Sequence, residues 1–343
     1  MNKIKKRYTL VPQMYFYDHF NVEYSPYTMF FNEKNFKSKY LNTDNNGFRY
    51  NYYNNKSLNF DQIKHLDEIS IVVGGSTVFG FGSTSDHNTI SSYMTKKSDH
   101  LFLNFGATAF NSKQELILFI NNLNKFKKIR NVFIISGVND LYLNYNDFDD
   151  ENNFFFKKNY KLAQDLYKIR NNYRKKILYF FYKIFNDKFT DPSSIKFKNF
   201  FKNKNAYKKN FINFDLINSN YNKIFGVWSS LAEKYNFNLL YFLQPLAGWL
   251  KKKPNDIEKN LFDLLDNSDD YSHNVLNLIS LDDNYKNFRS LLEKNASKHN
   301  IKFFDLNLDL KLACNEGDNI FVDRVHLTDF GYNKISNIIL KKI

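Results

Sequence analysis

The chain predicts an α/β fold built on a parallel sheet, and three observations carry that reading. Short apolar runs at Ile71-Val72-Val73, Leu101-Phe102-Leu103 and Val132-Phe133-Ile134-Ile135 contain no polar residue, as strands buried on both faces require. Segments with helical spacing separate them. Each run ends among Gly, Ser or Asn, where the chain can turn back. Strand, helix and strand joined by short links imply right-handed crossovers and parallel pairing.

Taken in order, residues 1–65 lack helical periodicity and carry turns at Tyr24-Ser25-Pro26-Tyr27 and Asn45-Asn46-Gly47. They are expected to form an arm of loops and short strands packed on a main domain, 66–343. Within the arm, Arg49 reads as a structural ion pair rather than a contact to an anionic substrate. The first strand, Ile71 to Val73, stops at Gly74-Gly75; Ser76 follows, and a helix is expected from Asn88 or Thr89 to Lys97. The second strand ends at Asn104-Phe105-Gly106. Ser112 and Glu115 have the spacing of a capping box, opening a helix with Leu116, Phe119, Ile120 and Leu123 on one face. The third strand ends in Ser136-Gly137-Val138-Asn139-Asp140.

The pattern breaks over 144–218, which is rich in Lys, Phe, Tyr and Asn and reads as a helical insertion over the carboxyl edge of the sheet. It resumes at Tyr221 with a helix to about Tyr235 and a fourth strand at Asn238 to Leu243. After a polar excursion come an amphipathic helix, Tyr285 to Lys298, and a fifth strand at Lys302 to Leu306. A loop to Val325 leads to Thr328, placed to cap a last helix ending at Ile343.

The 343 residues allow one large domain or two small ones, and a hydrophobic share of 43% supplies a sizeable core. With 37 Phe and 24 Tyr beside abundant Lys and Asn, the composition is that of AT-rich codons. The net charge of +14 is therefore read first as solvated lysines, and second as a surface for nucleic acid, anionic lipid or acidic glycan. Basic residues beside aromatics in the insertion suit base stacking or a membrane face, but no specific motif supports either. Nucleic acid is not the expected partner; peripheral membrane contact through the insertion stays open, as does the oligomeric state. The one cysteine, Cys314, leaves no disulfide within the chain and no cysteine-based metal site. The basic start, Met1 to Arg7, is followed by Pro12, Gln13 and Asp18 rather than an apolar run, so a signal peptide is not expected and the expected location is cytoplasmic.

In a parallel sheet, Ser76, Gly106 and Asn139 follow three strands and share one edge. A nucleophile there needs donors aimed at a developing oxyanion. The backbone N–H groups of Ser76 and Gly106 and the side-chain amide of Asn139 can supply them. The base is sought among seven histidines. His326, in Asp323-Arg324-Val325-His326, lies on a loop returning to that edge, and the i, i+3 spacing puts Asp323 beside it. Asp323 would orient the imidazole while its other nitrogen takes the Ser76 proton. The remaining histidines read as surface or capping residues, with His87 at the rim as the nearest rival.

These residues resemble an SGNH hydrolase of the GDSL superfamily. Gly74-Gly75-Ser76 is similar to the first of that family's four blocks and Asn104-Phe105-Gly106 to the second. Gly137-Val138-Asn139-Asp140 is similar to the third and Asp323 to His326 to the last. Asn45-Asn46-Gly47-Phe48-Arg49 resembles an arm that precedes the first strand in some members. One departure is Gly75, where the first block usually has aspartate. The resemblance implies a three-layer α/β/α sandwich, flavodoxin-like, with about five parallel strands. It implies an acyl-ester hydrolase or acyl transferase that needs no metal or cofactor. It also implies a small-molecule or carbohydrate ester as substrate, O-acetylated carbohydrate included. A non-catalytic module holding glycan or a partner protein is the alternative.

Overall fold

Residues 3–98, 100–145, 195–196, 212–266 and 271–343 are described by a computed structural model of the chain. The arm opens with two helices, α1 (Lys3–Leu10) and α2 (Met14–His19), where the sequence led us to expect only loops and strands. At 8 and 6 residues they are too short to show a period, and Pro12 divides them. A hairpin follows, β1 (Asn21–Ser25) against β2 (Met29–Asn32), with Val22 opposite Asn32. A second hairpin, β3 (Asn51–Tyr53) and β4 (Lys56–Leu58), leads to α3 (Phe60–Ile63), whose Asn59 cap is closed reciprocally by Gln62.

The main sheet contains β5 (Ile69–Gly74), β6 (Phe102–Gly106) and β7 (Ile129–Ser136). The two-residue β8 (Ile195–Lys196) pairs with β1 instead. The last two strands of the main sheet are β9 (Asn238–Leu243) and β10 (Lys302–Asp305). Among the described residues its five strands lie in the order β6-β5-β7-β9-β10, and every pairing is parallel. Numbered along the chain within this sheet, the order is 2-1-3-4-5, with a topological switch between β5 and β7.

Helices cover both faces, as the period of two in the strands requires. Ile71, Val73 and Leu103 pack with α6 (Ser112–Asn122), α8 (Phe214–Tyr235) and α12 (Asp282–Lys298), through Phe119, Trp228, Phe288 and Leu292. Val72, Phe133 and Phe242 face the other way, onto α5 (Ile90–Lys96), α13 (Leu306–Ala313) and α14 (Asp329–Leu340). The expected three-layer sandwich is the fold of this chain. The remaining helices are α4 (Ser76–Phe79), α7 (Val138–Tyr145), α9 (Ala247–Leu250), α10 (Asp256–Asp266) and α11 (Tyr271–Ile279). A third core joins the arm to the strand ends: Met14, Tyr17 and Phe20 pack with Phe79 of α4, Leu261 of α10 and Val322.

Several local expectations change. The capping box of α6 sits one residue earlier: Asn111 accepts from Lys113 N and Gln114 N, and Gln114 Oε1 accepts from Asn111 N. Ser112 and Glu115 turn inward instead, to Asp140 and Ser136. Helix α8 begins at Phe214, before the expected resumption at Tyr221. Most of the insertion expected at 144–218 lies outside the described residues. Its two ends meet: Asn213 N donates to Asn144 Oδ1 at 2.7 Å, and Asn144 Nδ2 donates to the Asn213 carbonyl at 3.4 Å.

Candidate active site

Strand β5 ends at Gly74, Gly75 makes the turn, and Ser76 is the first residue of α4. A Cβ on Gly75 would lie 2.8 Å from Asn139 Nδ2 and 3.2 Å from the Phe110 carbonyl oxygen. The aspartate that the resemblance would place beside the serine could be held there only with the Asn139 amide displaced. The single turn of α4 is anchored from behind. Fully buried Arg49 donates to the carbonyls of Phe79 and Gly80 at 2.9 and 2.8 Å and pairs with Asp86 at 2.9 Å. All its described contacts are internal, so Arg49 is a structural residue.

His326 and Asp323 stand on the turn before α14. Bridge pairing of Phe321 with Leu327 and the bond from Val322 N to the His326 carbonyl close that turn. Asp323 Oδ1 accepts the backbone N–H groups of Val325 and His326 at 2.9 and 2.7 Å, so one carboxylate oxygen shapes the loop. The other, Oδ2, lies 2.8 Å from His326 Nδ1. His326 Nε2 in turn lies 2.8 Å from Ser76 Oγ, across 250 positions of sequence. With Nδ1–H donated to the carboxylate, Nε2 accepts from the serine hydroxyl. The Phe81 ring lies over the imidazole, centroids 4.4 Å apart and planes 32° from parallel. Burial opposes ionisation of Asp323, but His326, Arg7 and the backbone N–H outweigh it and hold the carboxyl well below the usual carboxylate range. Arg7 Nη2 reaches Asp323 Oδ2 at 3.4 Å.

Asn139 enters from the start of α7, across the switch point from Ser76, and its Nδ2 donates to the Phe110 carbonyl at 2.7 Å. Among the described residues this is the one hydrogen bond that the Asn139 amide donates. Gly106 is not placed as expected. Its N–H donates to Asn104 Oδ1 at 2.9 Å. A Cβ on it would sit 2.0 Å from Phe79 N, so glycine here lets β6 lie against α4. The chain continues as a loop pressed on Gly75, with Ala107 N donating to the Gly74 carbonyl at 3.1 Å. In that loop Ala109 has φ +56°, the left-handed region. Among the described residues the N–H groups of Ser76 and Ala109 donate to nothing. Sequence reading passed over Ala109, because alanine carries no signal for this conformation.

Four other histidines are engaged elsewhere. His87 Nε2 is bonded to Ser57 Oγ at 2.7 Å, and His19, His100 and His299 bond to Tyr15, Ser70 and Asn222. Among the described residues no cluster of three or more His, Cys, Asp or Glu could hold a metal ion, and no helix is long and apolar enough to cross a membrane.

Fold and site together define the class: a 2-1-3-4-5 parallel α/β/α sandwich with a serine, a histidine and an aspartate linked at the carboxyl edge of its sheet. No family model matches the chain, and no curated protein sequence matches it. Among solved structures it is similar to an acetyl xylan esterase, at 12% identity over 80% of this chain and 99% of that one, TM-score 0.40. It is similar to a member of the lipolytic protein G-D-S-L family from Veillonella parvula, at 13% identity over 80% and 97%, TM-score 0.39. It is also similar to an extracellular lipase from Streptomyces rimosus, at 10% identity over 81% and 99%, TM-score 0.39. At such distances the chemistry has to be read from the residues of the site itself.

Proposed function

We propose that the chain is a serine-dependent acyl-ester hydrolase. The observation that carries this reading is the unbroken line from Ser76 Oγ through His326 to Asp323 Oδ2, with 2.8 Å at each link. Ser76 Oγ attacks the ester carbonyl as its proton passes to His326 Nε2. The imidazolium, steadied by Asp323, then gives that proton to the departing alkoxide. Water deprotonated by His326 attacks the acyl-serine, the acid leaves, and the serine hydroxyl re-forms. Negative charge on the tetrahedral oxygen is met by the Ser76 N–H and the second N–H of Asn139 Nδ2. The open N–H of Ala109 serves in the role expected of Gly106.

A sugar hydroxyl in place of water would make the same site an acyl transferase. O-acetylated carbohydrate is the substrate class implied by the resemblance to SGNH hydrolases. The non-catalytic alternative would rest on Gly75 and the basic insertion together; Ser76 and His326 standing within bonding reach despite the glycine speaks against the first of these grounds.

Hydrolysis of p-nitrophenyl acetate and labelling by a fluorophosphonate test the assignment. Ser76→Ala is expected to abolish labelling and to lower kcat by at least about 10³-fold. Turnover equal in wild type and Ser76→Ala would remove the nucleophile, and failure of the folded wild type to label would favour the binding module.

A further inference from the structure

Helix α1 puts a cation directly behind the aspartate of the site. Arg7 is only 8% exposed, and its guanidinium lies between two carboxylates: Nη1 is 2.7 Å from Asp18 Oδ2 and Nη2 is 3.4 Å from Asp323 Oδ2. The Asp323 oxygen it approaches is the one that faces His326 Nδ1. Arg7 Nε is buried with no partner among the described residues, so the group does not sit where hydrogen bonding alone would settle it. Tyr8 Oη also donates to Asp18 Oδ2, at 2.9 Å.

We infer that Arg7 is a positioning residue for the Ser76–His326–Asp323 group: it acts on the imidazole through Asp323, and Asp18 sets how much of its charge arrives there. This rests on the hydrolase reading above. The carboxylate stabilises the imidazolium formed when His326 takes the serine proton. A guanidinium on the same oxygen weakens that stabilisation, because it competes for the carboxylate charge that faces the imidazole. Asp18 offsets the guanidinium in part. The other charged groups around this position are engaged elsewhere. On the site loop Arg324 pairs with Asp266 of α10, and beneath α4 Arg49 pairs with Asp86. On α14 Asp329 bonds Thr84 and Asn88, and Tyr332 donates to the Phe81 carbonyl. Asp263 of α10 acts on Arg324.

The arrangement gives two variants opposite signs, which a merely structural ion pair would not. Arg7→Met removes the cation and is expected to raise the titration midpoint of the His326 imidazole by about half to one pH unit. Asp18→Asn frees the guanidinium to act on Asp323 and lowers the midpoint by a smaller amount. Arg7→Lys keeps the charge and stays near the parent. The readout is the histidine NMR titration in a Ser76→Ala background, with His326→Gln to assign the resonance; it does not depend on turnover. In the active protein the acid limb of kcat/KM for p-nitrophenyl acetate moves with the midpoint while KM holds. Two folded variants whose midpoints stay within about 0.2 unit of the parent, or move in the same direction, overturn the inference. If Arg7→Met does not fold, Asp18→Asn and Arg7→Lys decide it. Midpoints that shift as expected in a protein without Ser76-dependent turnover would sink the hydrolase reading and leave the coupling standing.

Discussion

At the scale of single residues, what lines the site is set by space that no side chain may fill. Gly106 is the tightest against backbone, where a Cβ would lie 2.0 Å from Phe79 N, whereas at Gly75 the nearest atom to a Cβ is the end of the Asn139 side chain, 2.8 Å away. A methyl would displace that amide more readily than it would strain the backbone. Gly75→Ala is therefore expected to fold with little change in Tm and to lose activity by about 10- to 100-fold, mostly in kcat. Thermal melts beside kcat and KM check this; a variant with full kcat would mean that Asn139 does not serve the reaction. Ala109 poses the converse problem. Its left-handed φ of +56° costs on the order of 1 kcal/mol or more for a residue with a Cβ, and that strain sits in the loop whose Phe110 and Ala107 carbonyls lie against Gly75.

At the scale of elements, α4 explains both what could be read from the sequence and what could not. Strands β5, β7 and β9 were legible because burial on both faces leaves an unbroken apolar run, and α6 because its length lets a 3.6-residue period show. A helix of 4 residues has no period, and one turn is not stable alone. Its stability comes from far away in sequence: Arg49 takes the last carbonyls, and Asn104 Nδ2 donates to the Val78 carbonyl at 2.9 Å. The meeting of Ser76 with His326 was legible through topology, since strand ends of a parallel sheet share an edge. Arg7 and Asp18 were not, because nothing in the first twenty residues announces which carboxylate the arm will cover. The Arg49 clamp yields its own test. Arg49→Met leaves Asp86 buried without its cation and is expected to cost about 3–5 kcal/mol in urea unfolding, and Asp86→Asn in the same chain should recover part of it. A cost below about 1 kcal/mol would show that α4 holds without the clamp.

At the scale of the whole molecule, the layer behind Asn139 makes stability depend on pH. Glu115 on α6 and Asp140 on α7 are both buried. Ser112 and Tyr221 donate to Asp140 at 2.6 and 3.1 Å, and Ser136 donates to Glu115 Oε1 at 2.7 Å, while Glu115 Oε2 has no partner among the described residues. Burial pushes the Asp140 carboxyl up to about 6, its hydrogen bonds opposing, and burial together with the Asp140 charge raises Glu115 well above 4.5. Of the two, Glu115 is the one whose carboxyl is held further toward the protonated form, because the neighbouring Asp140 charge adds to its burial. A carboxyl raised on folding binds more protons in the native state than in the unfolded one, so its contribution is full below the unfolded value and declines as pH climbs toward the folded one. For Glu115 the decline starts at 4.5 and runs at roughly 1.4 kcal/mol per pH unit. Glu115→Gln imitates the protonated acid and titrates in neither state. The variant should gain on wild type as pH is raised from 5 to 7.5, measured by urea unfolding at both values. A difference that stays constant between the two would mean that Glu115 is ionised in the fold.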